Sequence, residues 1–168
     1  MYPTKNSLEQ KIRIESVAIL QNRLYDALDF LLRTKQAHWN VKGVNFIALH
    51  KLFDELHEEA DEWVDLIAER VMQLGGMVAG TVQDSAAHSR IPEHPRTPSE
   101  GIYEVEFISS ALANLGEYIR LSRDEVERIG DADTMDMLTQ ISRGIAKYLW
   151  FVESHAQSGK FVKVKKVS

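Results

Sequence analysis

The segment from His38 to Glu69, HWNVKGVNFIALHKLFDELHEEADEWVDLIAE, constrains this chain more than any other. Leu49, Phe53, Leu56, Trp63, Ile67 and Val71 recur at helical spacing and fall on one side, the side of an ordinary core. His50, Asp54, Asp61 and Asp65 fall on a different side at 100° per residue. Between Asp54 and Glu69 there are eight carboxylates and no lysine or arginine. A helix carrying such a run repels itself unless the charges are solvated, neutralised by partners or bound to cations.

The rest of the chain reads as helices around this one. Residues 7–36 form a first helix that runs on to about His38, with Ser7 and Gln10 at capping-box spacing and Val17, Leu20, Leu24, Leu28 and Leu31 at helical intervals. Lys42-Gly43 supplies a turn, and Asn45 is the expected N-cap of a second helix ending at Gly75-Gly76. A long connection over residues 77–96 holds Gly80, Pro92 and Pro95, with a short helix expected around Val82 to His88. Thr97-Pro98-Ser99-Glu100 has the order of a helix start, with a stripe of Ile102, Val105, Ile108, Leu112 and Leu115 behind it and Gly130 as its stop. A last helix is expected from about Asp133 to Ala156, turning Leu138, Ile141, Ile145, Leu149 and Val152 inward. No segment alternates like a strand. Two helical hairpins joined by a long crossover predict an all-α four-helix bundle with a short helix between helices 2 and 3, the arrangement of ferritin-like folds.

Composition narrows what such a bundle can do. At 168 residues it makes one domain, residues 1–168, with short tails at 1–6 and 157–168. No apolar run is long enough to cross a bilayer and the N-terminus lacks the order of a signal peptide, so a cytoplasmic protein without a membrane partner is expected. With no cysteine, a metal site must use histidine and carboxylate. The net charge of −5 argues against a general nucleic-acid coat but leaves room for a local basic patch.

Histidine with carboxylate suits iron, zinc or manganese, and His38, His50, Asp54, Asp65 and Glu69 form a plausible ligand set. One helix cannot gather them, because Asp54 and Asp65 are roughly 16 Å apart along the axis. Their spacing suggests a division. Asp54 and Asp65 share a midpoint between residues 59 and 60, and so do His50 and Glu69. If two copies of the helix cross antiparallel about a two-fold axis there, His50 and Asp54 of one chain meet Asp65 and Glu69 of the other. Two equivalent sites then form, roughly 20 Å apart.

Residues 35–76, KQAHWNVKGVNFIALHKLFDELHEEADEWVDLIAERVMQLGG, closely resemble the Dps family of miniferritins, and residues 133–154 resemble that family's last helix. The family's pattern is His-Trp, then His followed four residues later by Asp, then Asp followed four later by Glu. His38-Trp39, His50 with Asp54, and Asp65 with Glu69 match it at all five ligand positions. The resemblance implies a homododecameric shell built from two-fold dimers, with a ferroxidase site at each dimer interface. It implies Fe(II) and hydrogen peroxide as substrates, a ferric mineral stored inside, and Trp39 as a quencher of oxidising equivalents. Zinc at the same site is the alternative metal.

The remaining polar residues have less definite readings. His57 and Asp61 lie on or near the acidic face, as interface residues, supports for the ligands, or ligands of a further metal. Glu55, Glu58, Glu59 and Glu62 either face a mineral cavity or are solvated. Residues 130–136, Gly130-Asp131-Ala132-Asp133-Thr134-Met135-Asp136, fit a turn and helix cap with first-turn acids; the resemblance also makes Asp133 and Asp136 pore candidates. His88, His94 and His155 have no partners at ligand spacing. Lys160, Lys163, Lys165 and Lys166 of the tail could meet DNA phosphates, yet the lysine-rich N-terminal arm associated with DNA binding in the family is absent from residues 1–13. DNA binding or condensation is therefore the alternative function.

Overall fold

The computed structural model describes residues 1–93 and 101–157. The helix-start signal at 97–100, Pro95, His94 and the tail lysines lie outside them. The elements in order are α1 (Gln10–Asn40), α2 (Phe46–Gln73), α3 (Val82–His88), α4 (Gly101–Ile129) and α5 (Ala132–Glu153). All are helices, and α1 with α2 and α4 with α5 make the two hairpins of a four-helix bundle, the expected class. The crossover carries α3 against α1, where Ser85 Oγ donates to the Tyr25 carbonyl at 3.0 Å and the His88 ring stacks on Tyr25 at 4.7 Å.

The apolar stripes meet in one core. Leu20, Leu24, Phe30, Phe53, Leu56, Ile67, Ile108, Leu112, Leu115 and Leu138 are among its fully buried side chains. Fully burying each such side chain contributes about 1.5–3 kcal/mol. Five stripe positions are less buried than expected, among them Val17, Leu28 and Leu31 of α1, which are only partly buried. Ile102 is 48% exposed in the first turn of α4, and Leu149 is only partly buried while its neighbour Tyr148 enters the core.

Helix ends depart most from the local signals. The first helix begins at Gln10 without a side-chain cap. Ser7 is not its cap, because Asn6 Oδ1 accepts from the Leu8 amide and Arg13 reaches the Leu8 and Leu74 carbonyls, tying this end to the end of α2. Asn45 does occupy the N-cap position of α2, but its side chain makes no capping bond. The cap of α5 is Asp131, whose carboxylate accepts from the Thr134 amide, and α5 ends at Glu153 rather than Ala156. Gly43, Gly75 and Gly130 hold positive φ where the chain reverses, a conformation that favours glycine.

The crossover is strapped down by a buried polar cluster. Arg23 pairs with the fully buried Asp26 at 3.0 Å and donates to the Tyr118 carbonyl at 3.1 Å. The Arg90 amide donates to Asp26 at 2.8 Å, while the Arg90 guanidinium lies 4.2 Å over the Tyr118 ring. Burial pulls Arg23 down to about 10, against the opposing pull of Asp26. The cluster joins α1, the crossover and α4.

Candidate metal centre

The turn at Gly43 folds α2 back along α1, so that His38 and His50 stack with ring centroids 3.7 Å apart. Each ring bonds the other's backbone. His38 Nδ1 donates to the His50 carbonyl at 2.8 Å and His50 Nδ1 to the His38 carbonyl at 2.9 Å. A carbonyl oxygen only accepts, so each Nδ1 carries a proton, and Nε2 is the nitrogen left to present a lone pair to a metal. A histidine whose second nitrogen is fixed in this way is oriented for metal ligation.

Asp54 follows His50 by one helical turn, and its carboxylate lies 3.8 Å from His38 Nδ1. A residue absent from the sequence reading joins it here. Lys35 on α1 forms an ion pair and hydrogen bond with Asp54, and that bond, with the charge of Lys35, holds the Asp54 carboxyl below the usual carboxylate range. The signal was present in the sequence, because Lys35 precedes His38 by three residues and shares its helix face.

Asp65 and Glu69 are elsewhere. Both are exposed on the C-terminal half of α2, with no hydrogen bond or ion pair among the described residues. Among those residues, no group of three or more His, Asp or Glu side chains is gathered closely enough to hold a metal ion. Within one chain, then, His38, His50 and Asp54 are neighbours that do not converge on one point, and Asp65 and Glu69 lie apart from them.

The other candidates sort by their partners. His57 is half-buried, with Nδ1 3.1 Å from both the Leu31 carbonyl and Thr34 Oγ1, which ties α2 to α1. Asp61 is exposed and has no polar partner among the described residues. Glu55, Glu58 and Glu62 are exposed, while Glu59 accepts from Trp63 Nε1 at 3.3 Å. Burial, then Glu59, Glu55 and Glu58, push the Tyr148 phenol up, so these three acids lie toward α5. Asp136 is exposed, and Asp133 is exposed with its carboxylate 3.8 Å from Arg70. His88 donates to the Asp84 carbonyl and stacks on Tyr25, a packing role, and His155 lies exposed past the end of α5. Trp39 is 70% exposed beside His38, and Val44 of the following turn and Ile47 at the start of α2 are exposed as well.

A family profile described as Ferritin-like domain matches residues 17–162. The chain is 37% identical over 160 residues to the DNA protection during starvation protein of Agrobacterium fabrum, covering 93% of this chain and 96% of that one. This chain belongs to the Dps family of ferritin-like proteins. Solved Dps structures share its shape along nearly the whole length. Dps92 from Deinococcus radiodurans is 31% identical with a TM-score of 0.82, each chain covered to 88%. DpsC from Streptomyces coelicolor is 26% identical with a TM-score of 0.88, covering 96% of this chain and 94% of that one. Among the described residues no helix is long and apolar enough to cross a membrane.

Proposed function

We propose that this Dps-family chain is a cytoplasmic ferroxidase and iron-storage subunit that oxidises Fe(II) at sites shared between two chains and stores the ferric product in a hollow dodecamer. The observation that carries the reading is the reciprocal pair His38 and His50, each fixed through Nδ1 with Nε2 available, beside an ionised Asp54. Asp65 and Glu69 of a second chain complete the site, because their spacing about residues 59 and 60 mirrors that of Asp54 and His50. Two imidazoles hold ferrous iron, and three carboxylates favour the more highly charged ferric product.

Hydrogen peroxide is the oxidant. Two ferrous ions give one electron each, the peroxide O–O bond breaks, and two protons complete two water molecules. Placing two irons in one site delivers both electrons together and avoids release of hydroxyl radical. Trp39 lies next to the site in sequence and is exposed, where it intercepts any stray one-electron oxidant. Exposed acids at Asp133 and Asp136 draw ferrous ions toward an entry pore.

Peroxide-driven Fe(II) oxidation by the purified protein, compared with an Asp65→Ala, Glu69→Ala variant, tests the reading. The variant is expected to lose most of the rate; equal rates would contradict the proposal. The names of the Agrobacterium and Brevibacillus relatives refer to DNA protection, which favours a second reading in which the shell also covers DNA. Its phosphate-contacting residues would be Lys160, Lys163, Lys165 and Lys166. Salt-dependent gel shifts with and without residues 157–168 decide it. A zinc shell with little ferroxidase activity is the outcome in which zinc binds and iron oxidation is absent.

A further inference from the structure

The two halves of the candidate site are held in different ways. His38, His50 and Asp54 are fixed within the α1–α2 hairpin by their own hydrogen bonds. Asp65 and Glu69 have no such bonds among the described residues, so their positions follow the backbone of α2 alone. That stretch of α2 is registered on α5 at two points. At the first, Trp63 lies flat against Gly144, where a Cβ would come within 3.1 Å of the indole. At the second, Arg70 Nη2 donates to Asp131 Oδ1 at 2.9 Å and Arg70 Nε to Thr134 Oγ1 at 2.8 Å. Thr134 Oγ1 donates to Asp131 Oδ2 at 2.6 Å, and Asp131 and Thr134 are fully buried. Asp65 and Glu69 fall between these two points in the chain.

We infer that Arg70, through Asp131 and Thr134, is a positioning residue for the acidic half-site, fixing the rotation and height of α2 on which Asp65 and Glu69 reach a second chain. The inference rests on the shared-site reading proposed above. A bridged site tolerates only about 0.5 Å of error in its ligands. A helix free to rotate by a few degrees at its end exceeds that at the tip of a glutamate. The Arg70 fork removes the freedom, since it meets a carboxylate and a hydroxyl at once and both are anchored in the first turn of α5. Helix α5 therefore determines metal affinity without supplying a ligand.

The test is Zn²⁺ titration calorimetry on the assembled protein, which reads the site without oxidation chemistry. An Arg70→Met, Asp131→Asn variant removes both buried charges together, because removing one alone would leave the other uncompensated. Helicity and assembly size are measured alongside. Glu69→Ala reports whether Zn²⁺ uses the acidic half-site, and Val152→Ala, at the far end of α5, supplies a loss of stability without a change of registration. The expected result is Zn²⁺ affinity weakened about tenfold or more in Arg70→Met, Asp131→Asn, within the range for groups that support metal ligands, and unchanged in Val152→Ala. Wild-type affinity in the double variant, with Glu69→Ala impaired, would overturn the inference and leave the shared site standing. Wild-type affinity in Glu69→Ala would overturn the shared site itself. If the double variant fails to assemble, Arg70→Lys decides, because it keeps the charge and loses the fork to Asp131 and Thr134: weakened affinity with intact helicity supports the inference, and unchanged affinity overturns it.

Discussion

His38 and His50 each have one nitrogen committed to the other's backbone, so the pair is set before any metal arrives. Asp54 is different, because its carboxylate already has a cation, the Lys35 ammonium, that a metal must displace. Lys35→Gln is therefore expected to tighten Zn²⁺ binding by about threefold, the scale of an exposed ion pair, as read by calorimetry. Weaker binding in that variant would mean that Lys35 supports the site rather than competing for it. The histidines and acids were legible in the sequence because their chemistry and spacing are local. The reciprocal bonds across Gly43 were not legible, since they depend on how a turn brings two helices together. Nor was the bonding of Arg70 to Asp131 and Thr134, which lie more than sixty residues away in sequence.

At the scale of the elements, the four long helices were visible from their 3.6-residue stripes, whereas several of their ends followed tertiary partners. The last helix was expected from about Asp133, and its cap is Asp131. Asp131 serves because Arg70 reaches it from α2 and Thr134 closes the ring. Ser7 offered a cap for α1 and does not serve, because Arg13 ties that end to Leu74. The Asp131 carboxyl is subject to burial, which alone would raise its pKa, but bonds from the Thr134 hydroxyl and amide and the charge of Arg70 outweigh this and lower it. A lowered folded-state pKa gives stability that is present above the unfolded value, about 3.9, and is lost as pH falls through the folded value. Denaturant midpoints measured below pH ~4 should thus fall less steeply in Asp131→Asn than in wild type. At neutral pH, Arg70→Ala should cost about 3–5 kcal/mol, the scale for stranding a buried charge. A loss below about 1 kcal/mol would place the pair among exposed ion pairs.

At the scale of the whole molecule, the bundle places three candidate ligands at one end of α2 and two toward the other, too far apart to serve one ion. The unit of function is then a pair of chains, and a monomer should bind iron poorly. Complementation between two defective chains tests this most directly. Chains carrying His50→Ala, Asp54→Ala lack one half-site, and chains carrying Asp65→Ala, Glu69→Ala lack the other; each alone should be inactive in peroxide-driven Fe(II) oxidation. Co-assembled in equal amounts, half of the dimers are mixed and each mixed dimer has one intact site, so about a quarter of wild-type activity should return. Activity no higher than that of either parent would contradict the shared site.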